Sequence, residues 1–180
     1  MNDTVEPRVI APTNATSGKT RGQIILGWWG VEIGDRQSSS ARALAARLRR
    51  ASGVDALTEP AVHDLARRLN LRDGATLVRL VTLLAEVRNH RSQTLAQCLG
   101  GPEPALSALR FQRLMRTEGP DLAPALRRAI AMADYACNVA ALGEDLLFWS
   151  EATRTRWCFH YFGAAVPGPA EPDLSKEISE

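Results

Sequence analysis

The residues of this chain that could do covalent or metal chemistry are few and poorly spaced for it. Cys158 and His160 bring a thiol and an imidazole close in sequence. Two residues apart on a helix they point about 200° apart, so they neither share a metal ion nor form a catalytic dyad. His63 and His90 stand alone and read as surface or cap residues. Glu144 and Asp145 are adjacent acids expected near the start of a helix, where its dipole favours them, and no E-x-x-H pair of the di-iron type occurs. Cys98, Cys137 and Cys158 are odd in number and contain no C-x-x-C pair, which argues against a disulfide framework or a zinc cluster and for a reducing compartment. Ser17-Gly18-Lys19-Thr20 imitates the end of a phosphate-binding P-loop, but Thr13 stands where that loop needs glycine. The expectation is a protein that is not an enzyme, with no cofactor and no metal.

What the chain has in quantity is arginine. Of its 22 basic residues only Lys19 and Lys176 are lysines. Net charge is +2, yet residues 36–128 carry sixteen Arg against eight acids, while both flanks are net negative. Arginine presents a planar fork that matches phosphate oxygens in pairs. A GC-rich genome would favour Arg and Ala as well, so placement has to carry the reading. On the helix expected at 107–117, with Arg110 as zero, Phe111, Leu114 and Met115 fall between about 40° and 140°, and Arg113 and Arg116 near −60° and −120°. Arg110, Arg113 and Arg116 therefore share one exposed face. Arg42, Arg47, Arg49 and Arg50 lie opposite Leu44 and Leu48, and Arg127 and Arg128 lie opposite Leu122, Leu126 and Ile130. Few acids share these faces at i±3 or i±4, so an external polyanion would relieve their mutual repulsion. The arrangement suits phosphates and is silent on base sequence.

The elements that must position these side chains read as helices throughout. Apolar residues recur at three- and four-residue spacing with no sustained alternation. Spans are expected at about 22–33, 40–52, 60–70, 74–90, 107–117, 121–134, 138–149 and 151–162, with Ser39 or Ser40, Ser107, Asp121 and Asn138 as N-caps. The fold class is all-α, a compact bundle of about eight helices. Gly100-Gly101-Pro102 marks either a break between two small helical subdomains or a bend within one domain. Residues 1–21 read as a flexible arm and 164–180 as a Pro-rich acidic tail. Trp149, Trp157, Phe159 and Tyr161 crowd the last two helices and are expected to pack between them. No apolar run approaches the roughly 20 residues of a membrane span, and no leader is apparent, so a cytoplasmic location is expected.

In order along the chain, Trp28-Trp29, Gly34-Asp35-Arg36, Ala45-Ala46-Arg47-Leu48-Arg49-Arg50-Ala51, Leu109-Arg110-Phe111-Gln112-Arg113-Leu114-Met115, Leu126-Arg127-Arg128-Ala129-Ile130, Asp145-Leu146-Leu147-Phe148-Trp149 and Trp157-Cys158-Phe159-His160-Tyr161 form a pattern. Over residues 22–163 it resembles CasB, the small subunit of the type I-E CRISPR Cascade complex. The resemblance implies a non-catalytic subunit that pairs with a second copy, sits against the backbone and large subunits, and stabilises the R-loop. Its implied nucleic-acid partners are crRNA and target and non-target DNA, with base pairing by the guide supplying sequence choice. Carried over by motif, the contact residues are Arg110, Arg113 and Arg116, then Arg127 and Arg128, then Arg47, Arg49 and Arg50. Arg154 and Arg156 could equally serve the interface between copies. From the charge pattern alone, a helical adaptor whose Arg faces meet acidic proteins is the alternative.

Overall fold

A computed structural model describes residues 18–166. The first helix, α1 (Arg21–Trp29), runs on through a π-helical turn at Gly30–Gly34. Then come α2 (Ser39–Arg50), α3 (Gly53–Leu57), α4 (Pro60–Leu69), α5 (Gly74–Leu84), β1 (Asn89–His90) and α6 (Leu95–Leu99). The second half holds α7 (Ala108–Arg116), a 3₁₀ turn at Gly119–Asp121, α8 (Leu122–Met132), β2 (Ala136–Cys137), α9 (Val139–Leu147) and α10 (Glu151–Tyr161). The fold is all-α in substance.

Helix α5, within the span expected at 74–90, is the middle of the molecule. Leu77, Leu80, Val81 and Leu84 of α5 are buried, and α9, α3, α2, α8 and α4 pack around that helix. The early tryptophans fasten α1 to this centre. Trp28 Nε1 donates to the Ala61 carbonyl at 2.8 Å and Trp29 Nε1 to the Leu84 carbonyl at 3.1 Å, so each buried indole satisfies its one donor. On its other side α1 lies close against α9. Built Cβ atoms on Gly22 and Gly143 would come within 2.7 Å of the Glu144 and Ile25 side chains respectively, so the two helices approach most closely where side chains are absent. One apolar cluster takes in residues from before and after the glycine turn at 100–101.

Several boundaries differ from expectation for identifiable reasons. The span expected at 74–90 stops at Leu84, because residues 85–88 peel away to reach the end of α8, where Arg88 N–H donates to the Tyr135 carbonyl at 2.7 Å. Beyond it β1 and β2 pair in parallel, Asn89 with Ala136 and His90 with Cys137, two residues too short for alternation to register. The short helices α3 and α6 also escape the apolar period. They are marked instead by local polar closures, Ser52 donating to Asp55 and Thr94 N–H to Gln97 at 2.9 Å. The cap of α2 is Ser38, not Ser39 or Ser40, accepting from Ala41 N–H at 3.2 Å. Asn138 caps α9 as expected, accepting from Ala141 N–H at 3.0 Å, whereas the Ser107 and Asp121 side chains accept no cap bond. Of the arm and tail, only residues 18–21 and 164–166 are described, and Arg21 already belongs to α1. No helix among the described residues is long and apolar enough to cross a membrane.

Candidate nucleic-acid interface

Two helices build the principal site. On α7, Phe111 and Leu114 are buried, which turns Arg110 and Arg113 outward. The rotation of α7 is fixed by Phe111, whose ring stacks on Tyr161 of α10 with centroids 3.9 Å apart. Tyr161 is itself held by its hydroxyl, which donates to the Leu106 carbonyl at 2.5 Å. On α8, Leu126 and Ile130 are fully buried and Arg128 faces out. The result is a groove of about 250 Å³ between α7 and α8, floored by Leu114, Ala129 and Met132 and rimmed by Arg110, Arg113 and Arg128. No carboxylate among the described residues pairs with these three guanidinium groups. Their planar forks can bind phosphate oxygens two at a time, and an apolar floor strengthens such charge-assisted bonds. Arg116, in the last turn of α7, is exposed and pairs with no carboxylate among the described residues, but stands outside the groove lining.

The remaining expected residues are not gathered there, and the expectation that these arginines lack carboxylate partners needs correction for two of them. Arg127 pairs with Glu86 at 2.9 Å. Arg47 grips Glu59 with two bonds, Nε to Oε1 at 2.5 Å and Nη2 to Oε2 at 3.0 Å, which holds the Glu59 carboxyl below its ordinary range. Neither partner is on the same helix: Glu86 follows α5 and Glu59 precedes α4, so i±3 and i±4 arithmetic cannot see them. Arg50 opens on a cleft it shares with Asp55 and Glu59. Arg49 turns to another side, where its Nη1 donates to the Ala85 carbonyl at 3.3 Å.

That carbonyl belongs to a second gathering of cations, which face arithmetic missed because two of its members lie outside helices. Arg36 Nη2 donates to the Val87 carbonyl at 3.4 Å, and its buried Nε has no partner among the described residues. The Arg88 guanidinium lies over the Tyr135 ring, 3.9 Å from its centroid. Burial, then the charges of Arg49 and Arg88, hold Arg36 below the ordinary arginine range. The signal available in sequence was the Gly34-Asp35-Arg36 motif.

The other singled-out groups are structural. Thr20 of the false P-loop caps α1, accepting from Gln23 N–H at 3.2 Å, while Ser17 lies outside the described residues. His90 Nδ1 accepts from Val139 N–H at 3.2 Å, His63 Nε2 bonds the Leu57 carbonyl at 2.6 Å, and His160 Nδ1 faces Thr94 Oγ1 at 3.1 Å, away from Cys158. Burial pushes the Cys137 thiol up to about 12, which leaves it inert. Glu144 and Asp145 sit in the last turns of α9, not near its start. Glu144 serves the start of α1 instead, accepting from Gly22 N–H at 2.8 Å, and Asp145 is buried against Arg156 and Trp157. Arg156 is thus an internal partner, as is Arg154, which binds Glu118 at 2.5 Å. Trp149 and Trp157 pack edge to face, 5.0 Å apart. No group of three or more His, Cys, Asp or Glu side chains among the described residues could hold a metal ion.

A family model described as CRISPR-associated protein Cse2 matches residues 44–162. The chain belongs to the Cse2 family. This is the CasB family of the sequence reading. The CRISPR-associated protein Cse2 of Thermus thermophilus is 29% identical over 112 residues, covering 59% of this chain and 64% of the relative. The chain thus spans under two thirds of the length of that Cse2 relative. The matched segment runs from within α2 to just past α10 and contains both helices of the groove. Arg36 and α1 precede it.

Proposed function

We propose that this chain is the non-catalytic small subunit of a type I-E CRISPR surveillance ribonucleoprotein, and that its α7–α8 groove holds the sugar–phosphate backbone of the R-loop. The observation that carries the reading is the meeting of Arg110, Arg113 and Arg128, from two helices, around one groove without a carboxylate partner among the described residues. Within this reading the subunit works in the cytoplasm beside a second copy and the backbone and large subunits, and contacts crRNA and target or non-target DNA. Arg116 extends the groove's rim, and Arg47, Arg49, Arg50 and Arg127 serve as outlying contacts.

Backbone binding of this kind releases condensed counterions, so affinity falls steeply with salt. Charge reversal of Arg110 and Arg113 to Glu lowers affinity for both single- and double-stranded DNA and flattens the salt dependence. Unchanged binding in that double variant at low salt overturns the groove assignment. Co-expression with a guide RNA and the other subunits, followed by size exclusion, tests the assembly. A second reading, a protein adaptor, draws on Arg47 and Arg127, which already bind carboxylates within the chain. Recovery with protein alone and no RNA favours it.

A further inference from the structure

The backbone that leaves α5 collects three cations from different parts of the chain. Arg36, from the loop before α2, and Arg49, from the last turn of α2, donate to the Val87 and Ala85 carbonyls, and Arg88 follows directly. The Arg36 carbonyl in turn accepts from Arg42 Nη1 at 3.1 Å, which fixes the loop. The acids next along the chain to Arg36 and Arg88 are otherwise engaged. Glu86 is taken by Arg127, and Asp35 Oδ1 accepts from Gln37 N–H at 2.9 Å. No carboxylate among the described residues pairs with Arg36, Arg49 or Arg88.

Beside this gap stands a built platform. Asp134 and Tyr135 both adopt left-handed backbone, with φ of 54° and 57°, a conformation that costs non-glycine residues and persists only where the surroundings impose it. Here the Tyr135 carbonyl accepts from both Arg88 N–H (2.7 Å) and Asn89 N–H (3.2 Å), and Tyr135 N–H donates to the Ile130 carbonyl at 3.0 Å. These bonds hold the Tyr135 ring beneath Arg88. Arg88 is exposed, so one face of its guanidinium covers the ring and the other meets water. A guanidinium plane held flat in this way is a stacking surface for a nucleobase.

We infer that this place is a second site, for one unpaired nucleotide: Arg36 and Arg49 bind its phosphate, and its base stacks on the outer face of Arg88, backed by Tyr135. Helix α8 joins it to the groove, since Arg128 rims the groove while its neighbour Arg127 reaches Glu86, two residues before Arg88. The inference rests on the proposed nucleic-acid role and adds the claim that a base, not only backbone, is contacted.

The test uses the full chain and two fluorescent single strands of equal length, oligothymidylate and its abasic counterpart, at low salt. Wild type is expected to bind the thymidylate strand about tenfold more tightly, since a stacked base contributes of that order. Arg88→Lys, which keeps the charge and loses the plane, removes this ratio and leaves abasic binding near wild type. Arg36→Gln weakens both strands. Equal binding of the two strands by wild type, or an unchanged ratio in Arg88→Lys, overturns the inference. The groove variant Arg110→Glu/Arg113→Glu separates the two ideas: it lowers both affinities and preserves the ratio if the groove reading holds. If it changes neither affinity while Arg88→Lys abolishes the ratio, the groove reading falls and this site stands. Failure of wild type to bind either strand, alone or in the assembled complex, overturns both.

Discussion

Asp145 shows how one buried charge can serve the fold without serving chemistry. It is only 5% exposed, and its carboxylate accepts from Arg156 and, at 2.7 Å, from Trp157 Nε1. Arg156 is half exposed and water can take over its guanidinium, but losing Asp145 leaves the buried Trp157 N–H without an acceptor, a loss of about 1–3 kcal/mol. Asp145→Ala is therefore expected to cost about that much in chemical denaturation, and Asp145→Asn distinctly less, because an amide oxygen still meets the indole. The pH dependence has a definite sign. Burial raises the Asp145 carboxyl above its ordinary range, against the pull of Trp157 and Arg156. The folded chain then binds that proton more tightly than the unfolded chain, so this group's contribution is present below the ordinary aspartate range and is lost as pH rises through the folded value. The melting temperature of Asp145→Asn relative to wild type is expected to climb as pH rises above the ordinary aspartate range. A flat difference would mean that the carboxyl is not raised.

Between elements, glycine sets the closest approaches. A Cβ on Gly143 would meet Ile25 at 2.7 Å, where side chains can shift. A Cβ on Gly100 would overlap the Tyr161 carbonyl at 2.0 Å, where backbone cannot easily yield. Gly143→Ala is expected to cost about 1–3 kcal/mol and Gly100→Ala more, an order that thermal melts of the two variants would check. This scale also marks how far the sequence could be read. Helix spans followed from the apolar period because α2, α4, α7 and α8 each bury one stripe. Residues 85–88 were misjudged because what draws them out of the helix is Tyr135, remote in sequence. The groove was half legible: Arg110, Arg113 and Arg128 could be assigned to outward faces, but that α7 and α8 would bring them together depends on tertiary packing. The neutralised cations failed in the same way, since Glu59 and Glu86 arrive from other elements.

For the molecule as a whole, the apolar cluster crosses the glycine turn at 100–101, and Tyr161 ties the segment after that turn to the final helix. Cooperative packing of this kind predicts a single unfolding transition, seen alike by tryptophan fluorescence and by helical circular dichroism. Two separated transitions would instead support independent subdomains divided near 100–104. The contact of Tyr161 with Phe111 reaches further than stability. A ring late in the chain fixes how a cationic helix laid down well before it is turned. A version of this protein cut short of that tyrosine would keep every arginine of the groove and lose the contact that aims two of them into it.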